Sequence, residues 1–525
     1  MAAAPKHLFR KKLAAAGALV ALADWLLWQR ELIATGIGWL ALAWVVAVVL
    51  VSPAVRRDRR ARAAAAAAAL FAGVHIWDPG LLSWGLFWGA LMMAVLLPRE
   101  ARFKDAFFWL QQQGWTALAA AFGPVIDMKR IATVPSASVQ LRVRQTLPML
   151  LLPLVGGAIF VALFARANPI IDDLFSAVSV PEMEIARAIL WGVFFVVAWS
   201  AFRPRRVKRA LAVPLGEMAL LERIPAASIT ISLVLFNAIF AAQNLLDVAV
   251  LWSGAGLPDS MTYAEYAHRG AYPLILTALL AGLFVITLLR PGSATARRPM
   301  IQRLVILWVV QNVFLMASAM LRLELYVEAY QLTPLRITAF VWMLLVAVGL
   351  GLICWRVVAG KSAAWLVNGN AAAALTVLAV MSLLDLSATA AWYNISHSHE
   401  ADGDGARLDL CYLEGQDSSA LLPLIALESR LTDGNFRDRV ANARRRVHGD
   451  LQRLQASRES WTWREAQRLA KAERRLAEMG DADRWVPELN CGGQMSYVSA
   501  WTEPEPIAVD VQPPVIEVSR GGGGE

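Results

Sequence analysis

The chain has 525 residues, of which 58% are hydrophobic and only 17% charged, and its mean hydropathy is +0.49. This composition excludes an ordinary soluble domain and indicates a polytopic membrane protein. Residues 1–388 carry 34 Lys and Arg against 19 Asp and Glu, whereas residues 389–525 carry 16 against 22. Cytoplasmic loops make a membrane part basic, whereas a nucleic-acid-binding protein concentrates positive charge on one soluble face. We therefore exclude nucleic acid as a partner.

Apolar runs in residues 1–388 predict an all-α fold, a polytopic transmembrane helical bundle of about eleven spans. The predicted spans cover residues 13–28, 32–51, 63–77, 81–97, 147–165, 185–202, 226–252, 272–289, 301–321, 335–358 and 363–386. The third span begins with seven alanines, which are barely apolar enough to insert alone. We therefore expect it to depend on close packing against its neighbours.

Residues 99–145 interrupt this regular succession of spans. Between residues 101 and 123, aromatic side chains lie on one side and charges or glutamines on the other, which predicts a helix in the cytoplasmic interface of the membrane. A re-entrant or spanning segment is the alternative, although the three glutamines at 111–113 are costly in hydrocarbon.

The distribution of basic residues predicts the orientation of the bundle. A cytoplasmic N-terminus puts 28 of the 34 basic residues of this part into cytoplasmic segments and six outside, as the positive-inside rule requires. An odd number of spans then sends the tail to the other side of the membrane. We expect a multi-pass protein of the bacterial inner membrane with a periplasmic tail.

The tail predicts a small helical extramembrane domain over residues 389–502, with about three or four helices. Residues 436–479 have a helical period, and Thr462 and Glu465 have the spacing of a capping box. Residues 503–525 are rich in Pro and then Gly, which predicts a disordered end. In an oxidising periplasm Cys411 and Cys491 could form a disulfide, and the alternative is two free thiols.

A long helix over residues 304–336 is predicted to leave the membrane and become amphipathic. It carries a polar stripe at spacings of seven, four, four and four, and this stripe must face protein or water. The members of the stripe are Gln311, Ser318, Arg322, Tyr326 and Tyr330.

Ionisable and aromatic side chains near the outer ends of the spans predict one outward-facing polar vestibule. A charge at that depth is expensive unless it is paired, so we expect Arg322 to pair with Asp247 or Asp385. The alternative is that these groups only hold helices together or lie among lipid headgroups. The candidate residues are Asp247, Tyr263, Glu265, His268, Arg269, Arg322, Tyr326, Glu328, Tyr330, Arg336 and Asp385.

Two short motifs do not support cofactor chemistry. The sequence Gly-Lys-Ser at 360–362 resembles the end of a phosphate-binding loop, but Trp355 stands where the first glycine is required. Residues 397–404 hold two histidines and three acidic residues, which could bind a metal, but the spacing favours a solvated turn. We predict no metal, no cofactor and no catalytic residue.

Four blocks of sequence carry a resemblance to a known family, and they are DSMTYAEYAHRGAYPL (259–274), RLELYVEAYQLTPLR (322–336), LDLCYL (408–413) and SWTWREAQRLA (460–470). They are similar to a bacterial inner-membrane family described only as a domain of unknown function, number 4173. The resemblance implies a polytopic inner-membrane protein, and it indicates no particular activity, substrate or cofactor. Gln331 departs from the pattern, because we expect glycine there, and a glycine would end the long helix more sharply.

Three functional hypotheses follow. The first is binding or transport of a small envelope-related ligand through the vestibule, although the usual inverted repeats and broken helices of transporters are not evident. The second is a non-enzymatic sensor or scaffold whose periplasmic tail recruits envelope proteins. The third, an enzyme acting on lipid-linked substrates, is supported only by the mixture of Glu, His, Tyr and Arg. In each case the lipid bilayer is a partner.

Overall fold

The structure, a computed structural model, describes residues 6–120, 127, 182–205, 225–253, 276, 277, 280, 298–401, 403, 405–480 and 484–495. These residues are mostly α-helical, and their β structure is limited to an isolated bridge between Leu489 and Met495. The helices are α1 Lys6–Ala23, α2 Ile33–Val51, α3 Pro53–Arg57, α4 Arg59–Trp77, α5 Leu81–Leu96, α6 Ala106–Ala120, α7 Glu182–Phe202, α8 Ala226–Asp247, α9 Pro299–Tyr330, α10 Pro334–Ala359, α11 Ala363–Met381, α12 Leu386–His397, α13 Leu410–Glu414, α14 Leu421–Glu428, α15 Asn435–Ala456 and α16 Trp463–Met479.

Helices α1, α2, α4, α5 and α7 form an N-terminal bundle around a buried core that includes Trp44, Phe87 and Trp199. The alanine-rich helix α4 packs tightly between α2 and α5, as its sequence predicts. Its alanines at 61, 65, 68 and 72 are all buried. A side chain at Gly38 of α2 would lie only 2.6 Å from Ile76 of α4, so the absence of a Cβ permits this close approach.

Helices α8 to α11 form a second bundle. Ile229 and Leu233 of α8 pack with Val305 and Trp308 of α9. Helix α10 packs on the other side of α9 through a cluster that includes Met343, and α11 packs on α10. The 32-residue α9 is therefore the central helix of this bundle.

Seven helical segments among the described residues are long and apolar enough to cross a membrane, which makes this a multi-pass protein. They coincide with seven of the eleven predicted spans, and they are Ile33–Val51, Leu81–Arg99, Ile185–Phe202, Ala226–Trp252, Pro299–Tyr330, Pro334–Ala359 and Ala363–Met381. The predicted spans 13–28 and 63–77 lie in α1 and α4, whose first turns are basic. The spans predicted at 147–165 and, for the most part, 272–289 fall outside the described residues, so the count of eleven stays a prediction.

Helix α6 carries the glutamines that were expected in the membrane interface. Gln112 and Thr116 are buried where α6 packs against α5, α7 and α11. The Thr116 hydroxyl lies 2.7 Å from the carbonyl of Gln112 and 3.1 Å from that of Arg205. The polar side of this helix thus faces protein, while residues 121–145, apart from Asp127, lie outside the described part of the chain. The interfacial placement stays a prediction.

The predicted helix over residues 304–336 was too long. Helix α9 ends at Tyr330, and α10 begins at Pro334 with the side chain of Thr333 as its N-cap. A proline disfavours helical backbone in the residue before it, which separates the two helices. Gln331 between them has φ 66° and ψ 166°, a region that glycine occupies almost alone, in agreement with the glycine expected there.

Helices α12 to α16 form the C-terminal cluster, with a core that includes Ile395, Leu424 and Val447. Cys411 in α13 and Cys491 are joined by a disulfide, with their Cα atoms 4.9 Å apart. Half of the predicted capping box forms, because Thr462 accepts a hydrogen bond from the Glu465 amide while the Glu465 carboxylate binds Arg468. The separation of this cluster from the membrane stays a prediction.

Candidate functional site

The polar stripe of α9 faces α8 over much of its length. Gln311 donates a 2.7 Å hydrogen bond to the Asn237 side chain, and Ser318 accepts one of 3.1 Å from Trp252. Arg322 forms an ion pair with Asp247, one of the two partners expected, and the side chains are only 8% and 3% exposed. The stripe was expected to face protein or water, and these three members face protein within the second bundle.

We predict that Arg322→Ala lowers the stability of the bundle by about 2–3 kcal/mol, because Asp247 is left charged and buried. Thermal unfolding of the full chain in detergent measures this change. The double exchange Asp247→Arg with Arg322→Asp is expected to recover part of the loss. An Arg322→Ala variant that melts like the parent protein would show that the pair contributes nothing.

The other described members of the predicted vestibule do not all line one cavity. The Arg336 guanidinium lies 3.9 Å from the centre of the Tyr326 ring and donates a 2.6 Å hydrogen bond to the Tyr330 carbonyl. Glu328 lines a cavity beside α12, and Asp385 lies at the C-terminal cluster. Tyr263, Glu265, His268 and Arg269 lie outside the described residues.

The cavity beside Glu328 has a volume of about 520 Å³ and is lined by polar groups of α12 and of the loop after it. A separate cavity of about 310 Å³ is lined by Arg30, Leu32 and Trp461.

 Inside the cavity beside Glu328, the rings of Tyr393 and His397 stack 4.1 Å apart. Burial, together with the nearby charge of Glu328, raises the pKa of Tyr393.

Asn394 joins this part of α12 to the membrane helices. Its side chain accepts a 2.6 Å hydrogen bond from the Leu332 amide and donates one of 2.9 Å to the Leu332 carbonyl. The same segment contains the histidines considered as metal ligands, and the Nδ1 atom of His397 lies 2.9 Å from the Tyr393 carbonyl. Among the described residues no group of three or more His, Cys, Asp and Glu side chains could hold a metal.

Asp385 pairs with Arg468 of the C-terminal cluster rather than with Arg322. Its carboxylate is the N-cap of α12, since it accepts a 2.8 Å hydrogen bond from the Ala388 amide, and it also accepts one of 3.2 Å from Ser419. Arg468 is buried and bonds Glu465 at 2.6 Å as well. Asp385 is therefore fully engaged in attaching α16 to the end of α11.

A second ion pair attaches α16 to the N-terminal bundle. Asp78, in the turn between α4 and α5, pairs with Arg464, which also donates a 3.2 Å hydrogen bond to the Leu383 carbonyl. Burial raises the pKa of Asp78, and the charge of Arg464 opposes this shift. The amide of Ala34 donates to the Glu459 carbonyl at 3.0 Å. The C-terminal cluster thus bridges both bundles.

These contacts surround a cavity of about 610 Å³, which we call the junction groove. One wall is aromatic and aliphatic, and it is formed by Trp77, Leu383, Leu384, Trp392, Leu422 and Pro423. The opposite wall is one face of α16, with basic side chains at spacings of four, three and three residues. These side chains are Arg464, Arg468, Lys471 and Arg474. The groove therefore offers an apolar surface opposite a cationic one.

Two features of this end of the molecule were missed from the sequence. The basic face of α16 was read only as part of a helical period, although the spacing of its four cations was visible. Asp24 lies inside the predicted span 13–28, and it accepts two 2.6 Å hydrogen bonds from Arg187 and one of 2.9 Å from Trp191. An acidic residue in such a span needs a partner, and this is the signal that could have suggested one.

The helices, their apolar surfaces and the paired charges between them define an integral membrane protein of the multi-pass helical class. The chain belongs to the family described as "Domain of unknown function (DUF4153)", whose model matches residues 13–427. A domain of unknown function was predicted correctly, but the number 4173 was wrong. The blocks at 259–274 and 322–336 lie inside the match, and the block at 460–470 lies beyond it. No match was found among curated proteins or among solved structures.

Proposed function

We propose that this chain is a bacterial inner-membrane protein that binds a small, envelope-related amphiphile in the junction groove, on the periplasmic side, without transforming it. The observation that carries this proposal is the pairing of an apolar wall with a cationic wall at the ends of α4 and α11. Ligand pockets combine such an apolar lining with a few polar groups that fix orientation. Of the vestibule residues that the structure describes, Asp385 is the one that lines this groove.

Binding is favoured over transport because Arg322 and Asp247, the two charges between α9 and α8, are paired with each other. Arg322 and Asp247 are buried against each other between α9 and α8. A transport path through these groups needs a polar cavity around them, whereas the groove lies at the ends of the helices. The ligand in this proposal approaches from the membrane surface and remains there.

The periplasmic position of the groove is supported by two independent observations. The basic residues follow the positive-inside rule for a cytoplasmic N-terminus. The bond between Cys411 and Cys491 suits an oxidising compartment, because cytoplasmic thiols are kept reduced.

Reporter fusions test the orientation. We expect fusions after Arg209, Ser260 and Asp409 to report cytoplasm, periplasm and periplasm, because charged segments of the chain direct its insertion. A cytoplasmic signal after Asp409 would put the groove on the wrong side for this proposal, and it would change the number of spans by one.

A bulky substitution in the groove tests whether the ligand binds there. Ala470 and Ala477 are both exposed on α16, but only Ala470 lines the groove. An indole at position 470 overfills the site, so we expect Ala470→Trp to reduce ligand retention about tenfold or more. Ala477→Trp is the matched control and should retain the ligand. The measurement is mass spectrometry of the lipids and small molecules that remain on the full chain after purification in mild detergent. Equal retention in the two variants contradicts the proposal.

A second candidate function, a scaffold that recruits an envelope protein, is favoured by Trp485, whose side chain is 84% exposed. Exposed tryptophans are common anchors of protein interfaces. A photo-crosslinking residue at position 485 should then give one discrete product in cells, while the same probe at the exposed Arg453 should not. The absence of a specific product at position 485 leaves ligand binding as the better explanation of the cluster.

A further inference from the structure

We propose that the junction groove recognises the phosphate of an acidic phospholipid through Lys471 and Arg474. This inference rests on the proposed function, because it names the chemical class of the ligand in the same groove. The lipid is drawn from the membrane leaflet that surrounds the ends of α4 and α11.

Only two of the four cations in the groove are available to a ligand. Arg464 and Arg468 already have carboxylate partners. Lys471 and Arg474 are exposed, and neither forms an ion pair with a carboxylate of the described residues. Because they are three residues apart on a helix, their charges lie side by side. Two adjacent cations can share the oxygens of one phosphate, and such charge-assisted hydrogen bonds are the strong ones.

The opposite wall suits the apolar part of a lipid. Leu383 and Leu384 directly follow the apolar helix α11 and are 55% and 52% exposed. Trp77 and Trp392 stand beside them, and tryptophan is enriched at the level of the headgroups in membrane proteins. A ligand with a phosphate on one side and a glycerol and acyl chains on the other therefore matches both walls.

The charges of the lining favour an acidic headgroup over a zwitterionic one. Among the described residues, the groove has one acidic lining residue, Asp385, and its carboxylate is engaged by Arg468 and Ser419. The described lining therefore offers no further carboxylate to hold the ammonium group of choline or ethanolamine. The volume of 610 Å³ falls within the range of small-molecule sites, so the headgroup fits.

The test is a lipid titration of the delipidated full chain, followed by native mass spectrometry. Phosphatidylglycerol and phosphatidylcholine with identical acyl chains are the two probes. We expect tighter binding of phosphatidylglycerol, by about fivefold for each cation that faces the headgroup. The variant Lys471→Gln with Arg474→Gln should weaken phosphatidylglycerol about 30-fold and abolish the preference. Both side chains are exposed, so this variant leaves no cavity.

Two further variants distinguish the effect of positive charge in the groove from the effect of the total charge of the protein. Arg453→Gln with Arg475→Gln removes the same charge from residues that do not line the groove, and it should bind like the parent protein. Lys471→Arg keeps the cation and should keep the preference. If the control pair weakens phosphatidylglycerol as much as the groove pair does, the inference is overturned.

The remaining outcomes distinguish this inference from the proposed function. If both lipids bind equally and Ala470→Trp displaces both, the groove binds a ligand but the headgroup class is wrong. If Ala470→Trp changes the binding of neither lipid, both proposals fail. If glycerol 1-phosphate competes as well as phosphatidylglycerol, the ligand is a soluble phosphate and the phospholipid is excluded.

Discussion

Replacing Glu428 by Gln is expected to lower the free energy of unfolding of the C-terminal cluster by about 3–5 kcal/mol. Glu428 of α14 accepts hydrogen bonds of 2.9 and 3.2 Å from Arg444 of α15, and the two side chains are 1% and 3% exposed. Glutamine cannot balance the guanidinium charge, so Arg444 would stay buried without the Glu428 carboxylate. Removing one partner of a buried ion pair therefore lowers the free energy of unfolding by more than the intact pair contributes to it.

The matched control is Glu414→Gln. Arg446, two residues after Arg444, donates two hydrogen bonds of 2.5 and 3.0 Å to Glu414. This pair is more exposed, because the Glu414 side chain is 27% exposed and the Arg446 side chain is 37% exposed. In the Glu414→Gln variant, water can solvate the Arg446 guanidinium, so we expect the free energy of unfolding to fall by about 1 kcal/mol or less. Pulse proteolysis across a urea series, read through a C-terminal tag, measures both variants. Equal losses would show that burial does not determine the strength of these pairs.

Removing the bond between Cys411 and Cys491 is expected to destabilise the C-terminal cluster by about 4 kcal/mol in the chain-entropy model. The two residues are 80 positions apart, so the bond closes a long loop and restricts the unfolded chain strongly. The double replacement of both cysteines by serine, measured by the same proteolysis, tests this value.

Cys354 provides the control, because it is the third cysteine and is free. Cys354→Ser should leave the stability of the C-terminal cluster unchanged. In protein isolated from its native membrane, denatured without reductant, one thiol should react with a labelling reagent and two more after reduction. Three reactive thiols before reduction would contradict both the bond and the periplasmic position of the tail.

Features that repeat along the chain could be predicted from the sequence. Long apolar runs marked the seven described segments that are long and apolar enough to cross a membrane, because the bilayer imposes their length. A helical period placed Gln311, Ser318 and Arg322 on one face, and the structure has that face against α8. Local chemistry also sufficed for the N-cap at Thr462.

Partners distant in sequence could not be predicted in the same way. The depth of Asp385 suggested Arg322, but its partner is Arg468, which belongs to a helix that follows the last predicted span. A helical period tells which side chains share a face, and it carries no information on which helix covers that face. The groove depends on which helix covers which face, because its two walls come from segments separated by up to several hundred residues.

The ion pair between Asp78 and Arg464 has a consequence for the order in which the protein is made. The two residues are 386 positions apart, so at about 5–20 residues per second the ribosome delivers Arg464 about 20–80 s after Asp78. Throughout that interval the Asp78 carboxylate lacks this partner. The turn between α4 and α5 is therefore synthesised long before the helix that attaches to it.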